Sequence, residues 1–208
     1  SIDYAAAPAP AVVGAGALWA SIGYTLAPNV SLREIVAEVS AAVATLAAHA
    51  VDLGGDPSRI VLAGHSAGAH LAAMQLTALA AEASRRSVAG LLLIGGAYDL
   101  APIAESYVNE KVRMSAADAA DLSPALLTPL HDVPVRVRVG EEEPEEFHRN
   151  AALLVKRWAP SLSAIDSAAL AGRDHFDALD ELADPRGGLF SDALDLLGLP
   201  PQRTAVGR

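Results

Sequence analysis

One segment constrains the fold of this chain more than any other. The pentapeptide Gly64-His65-Ser66-Ala67-Gly68 follows the apolar run 60–63 and precedes the helix-forming run 69–74. Gly-x-Ser-x-Gly between a strand and a helix is typical of a nucleophilic serine on a strained turn, where the glycines relieve crowding. We therefore predict that Ser66 is an acyl-transfer nucleophile and that the N–H of Ala67 stabilises an oxyanion. The alternative is a small-residue turn in which the serine only caps the helix.

Length, charge and cysteine content narrow the possible functions. The 208 residues suffice for a single domain with a sizeable core, and neither an internal repeat nor a low-complexity linker divides them. The formal net charge of −10 leaves no basic stripe for a phosphate backbone, so we expect no nucleic-acid partner. The absence of cysteine excludes disulfides and thiolate chemistry but indicates no compartment.

An uncharged stretch from Tyr4 to Leu32 could be mistaken for a membrane span. Three prolines and three glycines interrupt it, so we expect turns and one strand instead, and no membrane partner. No charged segment precedes an apolar core as in a signal peptide, and we expect a cytoplasmic protein. The chain starts at Ser1 rather than Met, which suggests a processed or partial chain.

Strand-like and helix-like patterns alternate along the chain. The capping-box spacing of Ser31 and Glu34 opens a helix that Gly54-Gly55 ends. Further helices are predicted from 66 to about 83 and over 145–158, and strands over 17–24, 60–63, 88–94, 133–139 and 163–170. The alternation favours a mostly parallel sheet with helices on both faces.

An acid and a base follow the serine in the chain order expected of a Ser-acid-His triad. Glu141, Glu142 and Glu143 come directly after the strand predicted at 133–139, where a carboxylate can orient a histidine. Most of these glutamates are expected only to complement the dipole of the next helix. His175 follows the last predicted strand and is the candidate base.

The remaining histidines do not suit that role. His70 lies one helical turn after Ser66, which places it behind the serine rather than over the hydroxyl. His49, His131 and His148 do not follow the final strand. No histidine pair has metal-ligand spacing with supporting carboxylates, so we predict no metal and no cofactor.

A dinucleotide-binding protein is a competing interpretation. Residues 12–16 read Val-Val-Gly-Ala-Gly, like the start of a Gly-x-Gly-x-x-Gly loop. The third glycine position holds Trp19, and the following segment is predicted as a strand rather than a helix. Both departures disfavour nucleotide binding.

Several segments of the chain match the motifs of one enzyme family. The more specific ones are Glu146-Phe147-His148-Arg149 and Asp174-His175-Phe176-Asp177, and those shared with many esterases are 23–28 and the segment 64–72 around Ser66. Tyr98-Asp99-Leu100 and Tyr107-Val108-Asn109 also match. In these segments the chain resembles the kynurenine formamidase (arylformamidase) branch of the hormone-sensitive-lipase-like α/β hydrolases. The resemblance covers nearly the whole chain.

The resemblance implies an α/β-hydrolase fold and further site residues. The catalytic acid of the family lies three residues before the Glu-Phe pair, which is Glu143 here, although aspartate is usual and Glu141 and Glu142 remain alternatives. Tyr98, Tyr107 and Asn109 are expected to line the substrate pocket. The partner would be a small acyl substrate, and the oligomeric state stays open.

The chain departs from the family near its N-terminus. It contains no His-Gly-Gly oxyanion segment, and a central strand between the strand at 17–24 and the Ser66 strand has no counterpart. We expect a hydrolase domain with missing N-terminal strands. Three hypotheses follow: a Ser-His-Glu arylformamidase acting on N-formylkynurenine, a general short-chain carboxylesterase, or an inactive remnant of the same fold.

Overall fold

The computed structural model describes residues 5–201. Its sheet has four parallel strands paired in chain order, β1 (Ile60–His65), β2 (Val88–Ile94), β3 (Val135–Gly140) and β4 (Ile165–Leu170). Since the strands are parallel, their carboxyl ends meet at one edge of the sheet, where the following segments can build a site. The mostly parallel sheet predicted from the sequence is confirmed.

Helices pack on both faces of this sheet, as predicted. Leu91 and Leu93 of β2 join a core with helices α2, α3 and α8, whereas Leu92 and Ile94 point to the opposite face and join α9 and α10. The helices are α1 (Ala9–Gly14), α2 (Leu32–His49), α3 (Ala67–Met74), α4 (Glu82–Ser87), α5 (Ala101–Ala104), α6 (Asn109–Val112), α7 (Ala116–Asp121), α8 (Glu145–Trp158), α9 (Asp180–Ala183) and α10 (Gly188–Leu196). Short 3₁₀ turns occur at Pro124–Leu126 and Ala159–Ser161.

Helix α2 begins with the predicted capping box. Ser31 N–H donates to Glu34 Oε2 at 2.7 Å, and Glu34 N–H donates to Ser31 Oγ at 3.3 Å. The pair satisfies backbone donors that the first helical turn leaves free. The helix ends at His49, a few residues before the glycines expected to stop it.

The helix after Ser66 is shorter than predicted. It ends at Met74, and the chain turns before α4 begins at Glu82. Thr77 Oγ1 donates to the Met74 carbonyl at 2.8 Å, and Arg85 Nη1 donates to the carbonyls of Thr77 and Ala80. These side chains satisfy backbone acceptors in the turn and so compete with continued helix.

The strand predicted over 17–24 is wrong, because that segment has no regular secondary structure. A strand needs a neighbour to take its backbone hydrogen bonds, and β1 is the edge strand of the described sheet. A cavity of about 750 Å³ is lined by this segment, by β1 and by side chains of α2 and α10. The segment therefore lies across a gap from β1 instead of pairing with it.

Candidate active site

Ser66 occupies a sharp turn between β1 and α3. Its backbone has φ 56° and ψ −120°, a conformation that side chains rarely adopt, and its N–H donates to the Ile94 carbonyl at 2.9 Å. A Cβ on Gly64 would lie 2.2 Å from the Gly68 carbonyl oxygen, so the first glycine is required by crowding. A Cβ on Gly68 would meet nothing within 4 Å, so the crowding argument is wrong for the second glycine.

Three predicted side chains meet at the carboxyl ends of the strands. His175 Nε2 lies 3.0 Å from Ser66 Oγ, and His175 Nδ1 lies 2.7 Å from Glu143 Oε2. Ser66 follows β1, Glu143 follows β3 and His175 follows β4, so the parallel sheet brings together groups that are far apart in the chain. A histidine held in this way can accept the serine proton at Nε2 while its Nδ1–H donates to the carboxylate.

The structure distinguishes Glu143 from its two neighbours. The Glu143 side chain has no exposed surface, whereas Glu141 and Glu142 are exposed. Glu141 Oε2 accepts from the N–H of Gly172 at 2.9 Å, which holds the loop before His175. Only the third glutamate of the run thus reaches the imidazole in the described part of the chain.

Glu143 is held in its charged form. Burial raises the pKa of a carboxyl group, but the bonds from His175 and from the N–H of Gly140, at 2.9 Å, outweigh it. The pKa of Glu143 therefore lies below its ordinary value of 4.5. An ionised, buried carboxylate favours the Nδ1–H tautomer of His175 and stabilises an imidazolium there.

Aromatic rings surround the imidazole of His175. The ring centroid of His65 lies 4.6 Å away and that of Phe147 lies 4.7 Å away, both tilted by about 40°. Phe176 contacts it edge to face at 5.6 Å. Sequence analysis did not assign His65 or Phe147 to the site, although both lie within segments that carried the family resemblance.

Gly95 is a third residue that sequence analysis did not assign to the site. It follows β2 with φ +52°, and a Cβ on it would lie 2.8 Å and 3.0 Å from the Glu143 carboxylate oxygens and 3.2 Å from His175 Nδ1. The glycine leaves the space in which the carboxylate and imidazole meet. The available signal was a glycine directly after a buried strand, which can mark a close approach.

The N–H predicted to stabilise an oxyanion lies at the start of a helix. Ala67 is the first residue of α3, so its N–H has no acceptor within the helix. This N–H lies directly after Ser66, where the positive end of the helix dipole favours an anion.

The three predicted substrate contacts differ in exposure and bonding. Tyr98 is fully buried, burial raises the pKa of its phenol, and it cannot touch a substrate without opening the core. Asn109 closes its own loop by bonds to Ala104 and Met114. Tyr107 is 83% exposed and is free of the core. None of the three lines the large cavity.

Residues 5–201 give little support to a dinucleotide site, a metal site or a membrane span. The Gly-x-Gly at 14–16 begins at the last residue of helix α1 rather than after a strand, so the arrangement that binds a dinucleotide is not formed. Among these residues, no group of three His, Asp or Glu side chains could hold a metal ion. No helix within the described range is long and apolar enough to cross a membrane.

Comparison with known proteins agrees with this geometry. The sequence profile of a family with the alpha/beta hydrolase fold matches residues 4–159. The chain belongs to this α/β-hydrolase family. A kynurenine formamidase from Danio rerio is 28% identical over 193 residues, which are 90% of this chain and 64% of the relative. This α/β-hydrolase chain thus spans less than two thirds of that relative's length.

Solved structures also resemble it. A thioesterase candidate from Silicibacter sp. TM1040 superposes with a TM-score of 0.71 and 33% identity, over 81% of this chain and 61% of that one. EstE1, a carboxylesterase from a metagenomic library, has a TM-score of 0.67 and 23% identity, over 87% and 69% of the two chains. The latter likeness is one of fold alone.

Proposed function

We propose that this chain carries the active centre of a serine hydrolase that cleaves a small acyl amide or ester. The main support is the hydrogen-bonded series of Glu143, His175 and Ser66, which has the order of orienting acid, base and nucleophile. His175 Nε2 takes the proton of Ser66 as Oγ attacks the carbonyl carbon. The carbonyl oxygen becomes an oxyanion close to the N–H of Ala67.

Breakdown of this intermediate needs the proton that His175 has gained. The imidazolium donates it to the departing amine or alkoxide, which leaves the acyl group on Ser66. Water, deprotonated by the same imidazole, then attacks the acyl-enzyme and regenerates the serine. Ionised Glu143 stabilises the imidazolium in both halves of the cycle.

Within this class, an aryl formamide such as N-formylkynurenine is the substrate we favour. The support is the similarity to kynurenine formamidase over 90% of this chain, together with the segments around His148 and His175. A short-chain carboxylic ester is the second candidate, because amides and esters react through the same kind of tetrahedral intermediate.

Activity of the 208-residue chain is expected to be low. It contains no His-Gly-Gly segment to supply further oxyanion donors. Loss of one such donor typically costs about 2.7–4 kcal/mol of transition-state stabilisation, or roughly 10²–10³ in kcat. A chain that binds but does not turn over would be the inactive remnant considered above.

Labelling and turnover test the nucleophile directly. A fluorophosphonate probe should label the wild-type chain at Ser66, and Ser66→Ala and His175→Ala should each lose labelling and most turnover. Ser87→Ala is the matched control, because Ser87 ends α4, before β2 begins, and its hydroxyl donates to the Ala83 carbonyl. Normal labelling of Ser66→Ala would refute the assignment.

Substrate preference tests the formamidase proposal. The kcat/KM of N-formylkynurenine is compared with those of phenyl acetate and a longer acyl ester. We expect small acyl groups, and the formyl group above all, to be preferred. A preference for acyl chains of about six carbons or more, with no formamide turnover, would leave a general carboxylesterase instead.

A further inference from the structure

His65 links the nucleophile turn to the loop that carries the base. It is the residue directly before Ser66, and its Nε2 lies 2.7 Å from the backbone carbonyl oxygen of His175, 110 residues away in the chain. Because a carbonyl only accepts, the neutral ring must carry its proton at Nε2 and donate it. The two imidazole rings also touch, with centroids 4.6 Å apart.

We propose that His65 is a positioning residue that fixes the backbone and ring of His175 over Ser66 through this donated hydrogen bond. The proposal rests on the serine hydrolase function proposed above. The His175 side chain is also held by Glu143 and by ring contacts. Next to it, the N–H groups of Phe176 and Asp177 donate to Asp174 Oδ1, on a segment between β4 and α9 that contains a glycine with positive φ. The bond from His65 to the His175 carbonyl therefore restrains the backbone of His175 itself, which its side-chain bonds alone do not restrain.

The surroundings keep His65 neutral. Half-burial lowers the pKa of His65, and the neighbouring His175 lowers it further, against the hydrogen bond to the carbonyl and the charge of Glu143. Neutrality matters because His175 becomes an imidazolium during the reaction, and a second positive ring in contact with it would oppose that charge. His65 therefore supplies a donor without supplying a charge.

Three substitutions separate the donor from the ring. His65→Gln places an amide N–H at about the reach of Nε2, His65→Asn carries the same amide on a shorter stem, and His65→Phe keeps a ring without a donor. We expect His65→Gln to keep kcat within about threefold. His65→Asn and His65→Phe should lower kcat by about 10-fold to 100-fold with KM little changed, because a partly buried carbonyl loses its partner and the base moves.

His131→Phe is the matched control. The Nδ1 of His131 lies 3.1 Å from the Arg85 carbonyl, and His131 precedes β3, at the end of the sheet opposite to the site. The His131→Phe variant also loses a bond between an imidazole and a backbone carbonyl, and it should leave kcat unchanged. The pH profile of kcat/KM adds a second readout. In the wild-type chain its acid limb should become steeper at the pH at which His65 also gains a proton. The His65→Gln variant should not show this steepening.

Nuclear magnetic resonance of the imidazole protons decides the proposal without turnover. The Nδ1–H of His175, bonded to Glu143, should exchange slowly in the wild type and in His65→Gln, and rapidly in His65→Asn and His65→Phe. Wild-type kcat and slow exchange in His65→Phe would overturn the proposal, as would equal damage in His65→Gln. An inactive wild type that shows the expected exchange pattern would refute the hydrolase function and leave the positioning role standing.

Discussion

Gly95 shows how one backbone position can control the candidate site. Its left-handed backbone and missing side chain leave room for the Glu143 carboxylate and for His175 Nδ1 at the end of β2. The atoms that a Cβ would meet are the ends of side chains, which can shift by a few tenths of an ångström. Crowding there should therefore damage the hydrogen-bond geometry more than the fold.

Gly95→Ala is expected to lower kcat by at least about tenfold. Any side chain at a left-handed residue costs about 1–2 kcal/mol, and the displaced carboxylate adds misalignment of the base. Gly54→Ala is the matched control, since Gly54 has φ +82° and a Cβ there meets nothing within 4 Å. Both variants should lose similar stability in urea, and equal kcat values for the two would contradict the prediction.

Glu143 should contribute to stability in a pH-dependent way. The pKa of Glu143 in the folded protein lies below its ordinary value of 4.5. The carboxylate therefore stabilises the fold above pH 4.5, and this stabilisation is lost as the pH falls from there through the lowered folded-state pKa. We expect Glu143→Gln to unfold at lower urea concentration than wild type at pH 7, and the difference to shrink toward pH 4. Turnover should also fall, though less than in Ser66→Ala.

Glu142→Gln is the control for both measurements, because Glu142 is exposed. It should match the wild type in urea at both pH values and in kcat. Greater loss of turnover in Glu142→Gln than in Glu143→Gln would mean that the acid is the neighbouring residue.

At the scale of elements, the sequence predicted correctly the features that depend on interactions between residues close together in the chain. The capping box of α2, the full extent of β2 and the bounds of α8 follow from spacing and hydrophobic periodicity, and the structure has all three. The early end of α3 at Met74 could not be predicted this way. It depends on Arg85, whose guanidinium reaches back to the turn only once α4 is in place.

The prediction of a strand over 17–24 was wrong for a related reason. Its apolar sequence suits a strand, but strand formation depends on a partner that no property of the segment reveals. The contacts of His65 and Gly95 are likewise long-range, to residues 110 and 48 positions away in the printed sequence. Chain order predicted Ser66 and His175, and the family resemblance added Glu143, whereas the contacts of His65 and Gly95 required coordinates.

At the scale of the whole molecule, the cavity beside β1 is the main weakness. This cavity has a volume of about 750 Å³. Side chains of α2, α10 and the segment 17–24 that line it lack partners on one side. Packing contacts are lost on the cavity side of these residues, although several of them, such as Val39, belong to the main core on their other side.

The two tryptophans report on these two sides separately. Trp19 is half-buried and lines the cavity, whereas Trp158 is fully buried and its Nε1–H donates to the carbonyls of Pro124 and Leu127. Trp158→Phe leaves Trp19 as the only indole, and Trp19→Phe leaves Trp158. Because local opening needs less free energy where fewer apolar contacts are made, Trp19 fluorescence should change at lower urea concentration than Trp158 fluorescence.

Circular dichroism measured on both variants controls for any change in global stability. The far-ultraviolet transition should coincide with that of Trp158, and the Trp19 transition should precede it. An apolar dye that fluoresces on binding exposed apolar surface should bind the native chain and shift the Trp19 emission without altering that of Trp158. Coincident transitions for both indoles, with no dye binding, would show that the region around the cavity unfolds together with the rest of the sheet.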